Sequence, residues 1–393
     1  MNKIKMNKIK IVLSLTTLLI IGSLGISLAD NTIVPDMNFT GDVIKISLSE
    51  ATDKMLKDGP GAQMAKINLA SSEAIASGYS ESNHSILEML NQQNVPLSIQ
   101  ATMPTKADAD LVKLQRDFAR SQGPFNYEAE MNTLKMDTIK NYFTVLQAED
   151  ALKINKENLA VQQRIYDNTV KKFKLGVVSK QDVLQAEVAV LSAKDAVAGA
   201  DSGLKMAKMG LNSFLGYDVM QQVTLTDTLK AVDLSTVPLA DAIEKALVNR
   251  NEIKAGAFGL KVQEVLMSRM KVRYPANSST YMKQEVALLS AQARYSQTIS
   301  GMEIDVRSKY MAMQTKKSAI GTGTASVAKA VELLRLSELS YSVGMNTVAD
   351  VQQVQVLVLS QKLALSQALL GYNLAVYDYN TAMTAGTFKA PIV

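Results

Sequence analysis

The chain has 393 residues, 47% hydrophobic but only 5% aromatic, with no Trp and 20 Met, a balance that suits long helices packed on one another better than a compact enzyme core. It has no Cys, which excludes disulfides, thiolate metal ligands, a thiol nucleophile and a lipid-modified N-terminal Cys. The net charge of +5 is carried largely by the first 29 residues; beyond their four lysines, 38 basic side chains face 37 acidic ones, with no clustered basic surface, so no nucleic-acid partner is expected.

Residues 1–29 read as a secretory signal peptide, the alternative being an uncleaved anchor. Lys3, Lys5, Lys8 and Lys10 form the positive start, residues 11–26 the apolar stretch, and Ser27-Leu28-Ala29 a small-x-small cleavage site. No later run of about 18 apolar residues suggests an ordinary transmembrane helix.

From Leu48 onward the chain repeats itself. Leu48, Ala51, Lys54, Leu56, Leu69 and Glu73 recur as Leu239, Ala242, Lys245, Leu247, Leu260 and Glu264, an offset of 191. A second match has offset 168: Gly176 with Gly344, Asp182-Val183 with Asp350-Val351, Gln185 with Gln353, and Asn212 with Asn380. The first half therefore holds 23 more residues between these landmarks than the second. Within that excess, residues 95–103 alternate Leu97, Ile99, Ala101 and Met103 with Ser98, Gln100 and Thr102, as in a strand or an extended loop.

Apolar residues then fall on a seven-residue grid. Val145, Leu152, Leu159, Tyr166 and Phe173 are matched by Met313, Ile320, Val327, Leu334 and Tyr341. After each glycine, Val183, Val190, Val197, Leu204 and Leu211 are matched by Val351, Val358, Leu365, Tyr372 and Tyr379. Spacing of 3.5 residues is the pattern of helices that supercoil and mesh knobs into holes, and small residues such as Ala186 and Ala193 let backbones approach. It predicts rods over residues 127–175 and 180–214, about 70 and 50 Å long at 1.5 Å per residue. Such rods need each other, and other copies of the chain, to cover their seams.

Between the rods of each half lies a sharp reversal, 174–179 and 342–347. Gly176 and Gly344 stand where a left-handed residue ends a helix. Ser179 with Asp182, and Thr347 with Asp350, have capping-box spacing, with Asp in place of Glu or Gln. The two aspartates suit the positive helix ends, and residue type favours this capping role; the compatible alternative is that they ring an opening and select by charge.

The stretch Lys174-Leu175-Gly176-Val177-Val178-Ser179-Lys180-Gln181-Asp182-Val183-Leu184-Gln185-Ala186-Glu187 resembles the tip pattern of the TolC-like outer-membrane efflux family. Residues 211–216 resemble that family's end of the same helix, and 246–253 its opening of the second repeat. The resemblance spans about residues 48–386. It implies a mainly α fold: long antiparallel coiled-coil helices in two tandem repeats, forming an α-helical barrel in a homotrimer. It implies passive conduction in efflux or type I secretion, with a periplasmic membrane-fusion adaptor and, through it, an inner-membrane pump; the outer membrane is a further partner if a barrel forms. Gly176, Val177, Val178 and Ser179, with Gly344, Met345, Asn346 and Thr347, match the tip positions that dock the adaptor, and Asp182 and Asp350 become gate candidates. The organisation is then a segment 30–47, a first repeat 48–216, an equatorial linker 217–238, a second repeat 239–386 and a tail 387–393. The family inserts two strands of about 9–11 residues in each half. Here the second half offers only residues 270–277, too short and too charged, so the β-barrel is expected to be reduced or absent. The alternative function is a non-conducting coiled-coil scaffold or adaptor-like protein of the envelope.

The chain's one His, His84, excludes a His-based triad or multi-His metal site and reads as a surface residue. Gly321-Thr322-Gly323-Thr324 lacks the Lys-Ser/Thr of a phosphate loop and reads as a kink or break in a helix. Gly59-Pro60-Gly61 reads as a helix-start turn, equivalent to Arg250-Asn251-Glu252. No catalytic residue, cofactor or metal is expected.

Overall fold

The protein's computed structural model describes residues 38–92, 96, 103–233 and 237–392. The signal-peptide reading, residues 30–37, most of the strand candidate 95–103, residues 234–236 and Val393 lie outside them. The described elements are β1 (Thr40–Ile46), α1 (Leu48–Asp58), α2 (Pro60–Leu90), α3 (Lys106–Lys174), α4 (Lys180–Leu215), β2 (Gln221–Leu225), α5 (Leu239–Asn249), α6 (Asn251–Arg273), α7 (Ser279–Ser342) and α8 (Val348–Thr381). The order short, medium, very long, long helix thus occurs twice.

Local chemistry fixes most of the boundaries. Ser47 and Glu50 form a reciprocal capping box at the start of α1. Gly59, in an extended conformation, ends α1 and admits Pro60 as the first residue of α2, where its missing N–H has no helical partner to lose. Arg250 makes the same extended break between α5 and α6. It is buried, and its guanidinium is held by Glu252 at 2.6 Å and Asp305 at 3.1 Å. The helix-start turn is therefore present in both halves, made by glycine in one and by an ion-paired arginine in the other.

Two helix expectations are corrected. The rod expected from Tyr127 begins at Lys106, so α3 has 69 residues and runs roughly 100 Å. It continues through Pro124, a residue that removes a helical hydrogen bond and normally breaks a helix. Lateral packing outweighs that local preference: α2 lies along α3, so closely that a Cβ on Gly123 would come 3.0 Å from the Ser72 Cβ. The Gly321–Thr324 stretch makes no break, because α7 is continuous across it. Gly323 instead permits close approach to α8, where a Cβ would meet Leu365 Cδ1 at 3.2 Å.

The seven-residue grid forms the cores. Val145, Leu211, Met313, Tyr341, Val351 and Tyr379 are all buried, as apolar side chains removed from water should be. Ala186 and Ala193 are buried at the neighbouring seam position. Within each half the very long helix packs on its two companions, α3 on α2 and α4, and α7 on α6 and α8. Between the halves, α3 lies against α6 and α8. By length and composition α8 is apolar enough to cross a membrane, a property the sequence reading passed over; Val351, Val358, Tyr372 and Val376 are buried in the bundle, while Val356 and Leu357 on the same helix are exposed.

Halfway along the rods, β1 and β2 pair in parallel, with Ile44 opposite Val223 and Ile46 opposite Leu225. The register shifts between Thr40 and Ile44, where Gly41 has a φ of 84°. Buried asparagines hold the irregular segments: Asn212 donates to the carbonyls of Val219 and Gln221, and Asn251 to those of Phe125 and Phe388. Tyr142, fully buried, donates its hydroxyl to Asp227 Oδ2 at 2.7 Å, and the same oxygen accepts from the Leu48 amide at 2.9 Å. Burial first, and then the adjacent carboxylate, raise the Tyr142 phenol above its ordinary pKa.

The far ends of the rods bear on the β-barrel. Residues 274–278 alone join α6 to α7, and residues 91–105 join α2 to α3. A membrane strand needs about 9–11 residues, so the second half has room for none and the first half lacks room for a pair.

Tyr142→Phe is expected to lower unfolding free energy by about 1.5–3 kcal/mol, because Asp227 loses a donor in a charged hydrogen bond. Urea unfolding followed by circular dichroism measures it. Wild-type stability would mean that the tie between α3 and the linker contributes nothing.

Candidate docking tips

The rods reverse direction at two tips built alike. At the first, Gly176 has a φ of 73°; its amide donates to the Phe173 carbonyl at 2.9 Å, and the Val177 amide to Lys172 at 2.9 Å. At the second, Gly344 has a φ of 81°, and the amides of Gly344 and Met345 donate to Tyr341 and Ser340 at 3.2 and 2.9 Å. Both are Schellman motifs, which satisfy the carbonyls left open at a helix end. Three residues later each chain re-enters a helix through a capping box. The Ser179 amide donates to Asp182 Oδ2 at 2.8 Å, and the Asp182 amide to Ser179 Oγ at 3.2 Å. The Thr347 amide donates to Asp350 Oδ2 at 2.8 Å, and the Asp350 amide to Thr347 Oγ1 at 3.3 Å.

These hydrogen bonds occupy Asp182 and Asp350 as caps of their own helices. The Thr347 hydroxyl, and then its amide, hold the Asp350 carboxyl below the usual carboxylate range. Because the folded state binds its proton less readily, the stabilisation is present above the unfolded carboxylate's pKa. It is lost as pH falls through the lowered folded value.

What the tips present to solvent is apolar. Leu175 and Met345 are 79% and 80% exposed, with Val177 and Val343 also largely uncovered. Val178 and Asn346 are half-buried, whereas Ser179 and Thr347 are exposed. Sequence reasoning passed over Leu175 and Val343, which sit one residue before the glycines where the C-cap geometry turns them outward. It also missed what joins the two tips. Thr169 Oγ1 lies 2.9 Å from the Tyr341 hydroxyl, Lys172 donates to the Tyr341 carbonyl, and its ammonium sits 3.8 Å from the centre of that ring. The signal for this was Tyr341 taking the repeat position of Phe173. A cleft of about 340 Å³ beside these contacts is lined by Arg164, Asn168, Lys171 and Glu338 among others. Far from the tips, His84 is an exposed partner of Glu88 at 3.1 Å on α2. Among the described residues no cluster could hold a metal ion.

Two outcomes are expected at the tips. Gly344→Ala meets open space yet places an L-residue at positive φ, and should destabilise by about 1–2 kcal/mol in thermal unfolding. Thr347→Ala should cost more stability at neutral pH than at a pH where Asp350 is protonated in both proteins, where only the bond from the Asp350 amide to Thr347 Oγ1 is lost; an equal loss at both would mean that the carboxylate adds nothing to the box.

Residues 124–217 match the family model described as Outer membrane efflux protein. No curated protein matches the chain. Among solved structures, the CmeC outer membrane channel of Campylobacter jejuni is similar with a TM-score of 0.65 at 14% identity, over 87% of this chain and 86% of that one. The outer membrane protein VceC of Vibrio cholerae is similar with a TM-score of 0.65 at 13% identity, over 87% and 97%. The open-state MtrE outer membrane channel of Neisseria gonorrhoeae gives 0.62 at 14% identity, over 87% and 90%. The chain therefore has the fold of the TolC-like outer membrane channels, and its residues 124–217 carry the sequence pattern of the outer membrane efflux proteins.

Proposed function

We propose that this chain is the duct of a cell-envelope efflux or type I secretion assembly, a homotrimer that passively conducts what an inner-membrane pump delivers through an adaptor. The observation that carries the reading is the pair of like-built hairpin tips, each exposing two large apolar side chains next to a rigid turn. An exposed Leu175, Val177, Val343 and Met345 on a fixed backbone is a surface made for a partner. In this reading Gly176, Val177, Val178 and Ser179, with Gly344, Met345, Asn346 and Thr347, form the adaptor-docking face. Asp182 and Asp350 border the opening, their carboxylates engaged as caps of their own helices. Movement of the hairpins on docking would widen it.

The trimer is supported by apolar stripes that one copy leaves uncovered, among them Leu184, Val188 and Leu191 on α4 and Leu333, Leu336 and Leu339 on α7. The site of action is the cell envelope, reached by export. Since residues 274–278 leave no room for a strand, contact with the outer membrane falls to something other than a family-type barrel of two strand pairs per copy.

Single-particle imaging of the purified mature chain is expected to show a trimer around a central lumen. Val177→Asp combined with Met345→Asp should leave that particle intact while abolishing co-purification of the adaptor from envelope extracts. A solid bundle without a lumen, or adaptor capture indifferent to both substitutions, overturns the reading in favour of a scaffold.

A further inference from the structure

The two tips share a backbone but not a charge. The repeat offset of 168 sets residues 164–187 opposite residues 332–355. The first window holds five basic side chains against three acidic ones and the second one basic against three acidic, so the tips carry +2 and −2. Lys171, Lys174 and Lys180 stand where the second tip has Leu339, Ser342 and Val348. The glycine turn and the capping box are nevertheless built alike at both. The hairpin itself therefore does not require the lysines.

Helix-end electrostatics does not account for them either. Lys171 and Lys174 lie in the last turn of α3, where a cation suits the dipole, but α7 ends in the same way with no basic residue in its last turn. Lys180 opens α4, at the positive end of the helix, where a cation is disfavoured. All three lysines are exposed, and among the described residues none of them is in an ion pair. The acids of the second tip are already engaged. Glu332 holds Arg335 at 2.8 Å, Glu338 holds Arg164 at 2.5 Å, and Asp350 caps its own helix. The surplus positive charge thus flanks the one turn that exposes Leu175 and Val177. Lys171 also lines the cleft of about 340 Å³ beside that turn.

We propose that the first tip recognises an acidic surface on the protein that docks there, with exposed Asp or Glu side chains of that partner meeting Lys171, Lys174 and Lys180. The second tip contributes apolar contact alone. The proposal rests on the adaptor-docking reading and names the chemistry of the adaptor's contact face. Leu175 and Val177 supply the buried area. The lysines at its edge supply orientation and speed of encounter, which is what charges at an interface rim chiefly do. Two tips of one backbone and opposite charge also give a partner a means to tell the halves apart, which the shared turn geometry does not.

Carbodiimide treatment of intact envelopes tests this, because the reagent joins a carboxylate to an amine only where the two touch. The full chain is then purified and its linked peptides are read by mass spectrometry. Lys171, Lys174 and Lys180 should be joined to Asp or Glu of the co-purifying adaptor. Links to Glu332 or Glu338 of another copy would assign the charge to assembly and overturn the proposal, as would an adaptor that co-purifies with none of the three lysines linked. Lys171→Glu, Lys174→Glu and Lys180→Glu together should lower adaptor co-purification about tenfold at low salt, whereas Arg at all three positions should hold it within about twofold. Raising the salt should bring the unmodified protein toward the level of the triple reversal, since exposed charges are screened. A matched pair tests the difference between the tips. Lys174→Glu should weaken co-purification several-fold, and Ser342→Glu, the same acid at the equivalent position, by less than about twofold; equal effects overturn the proposal. If Val177→Asp with Met345→Asp abolishes adaptor binding and the lysine reversals leave it unchanged, this proposal falls and the docking reading stands. If neither set has an effect, both fall. Flotation of the unmodified protein on phosphatidylglycerol vesicles, lost in the triple reversal while the adaptor stays bound, would give the patch to a membrane instead.

Discussion

An α-helix about 100 Å long satisfies its own backbone hydrogen bonds but cannot cover the apolar stripe that a 3.5-residue repeat writes along it. That unmet burial organises the molecule. In each half the stripe of the very long helix is shared with a medium helix toward one end and with the returning hairpin helix toward the other. The middle, where these companions meet, is tied by β1 paired with β2 and by Tyr142 reaching Asp227. Burial along the seam is essentially complete at Val145, Met313 and Tyr379 near this belt, and at Val351 beside the second tip. At the first tip Phe173 is 40% exposed, but a core of Ile165, Ala186, Tyr341, Val348 and Val351 lies directly behind both turns, whose backbone is fixed by turn chemistry.

That turn chemistry is economical. Both tips use a glycine at positive φ, a Schellman pair of amides, and an Asp box three residues on. The intervening side chains differ, Val177-Val178 in one and Met345-Asn346 in the other, because the backbone demands nothing of them. They are consequently available for recognition. The ties that set one tip against the other, from Thr169 and Lys172 to Tyr341, link the two hairpins so that displacing one bears on the other.

The opposite end of the rods departs from what the family resemblance implies. A turn of five residues between α6 and α7 passes from helix to helix directly, and lipid tolerates no open sheet edge. The helical rods and a lipid-spanning barrel are therefore separable parts of the fold: the first depend on seams that run the length of the chain, the second on insertions that this chain largely lacks.

The sequence by itself determined what is local. The heptad grid, the glycines at 176 and 344, the Ser179–Asp182 and Thr347–Asp350 boxes and the twofold repeat were all legible, because each is written within a few residues or by direct self-comparison. Only the tertiary structure decided what depends on a distant neighbour. Pro124 lies inside a helix because α2 braces it, and Gly323 makes room for Leu365 instead of breaking α7. Arg250 is buried because Glu252 and Asp305 converge on it. Periodicity could say that Phe118 and Val286 occupy the same face of equivalent helices, yet one is stacked on Phe258 and the other stands in solvent. A helical repeat specifies which face is apolar; which helix covers it is a property of the packed chain.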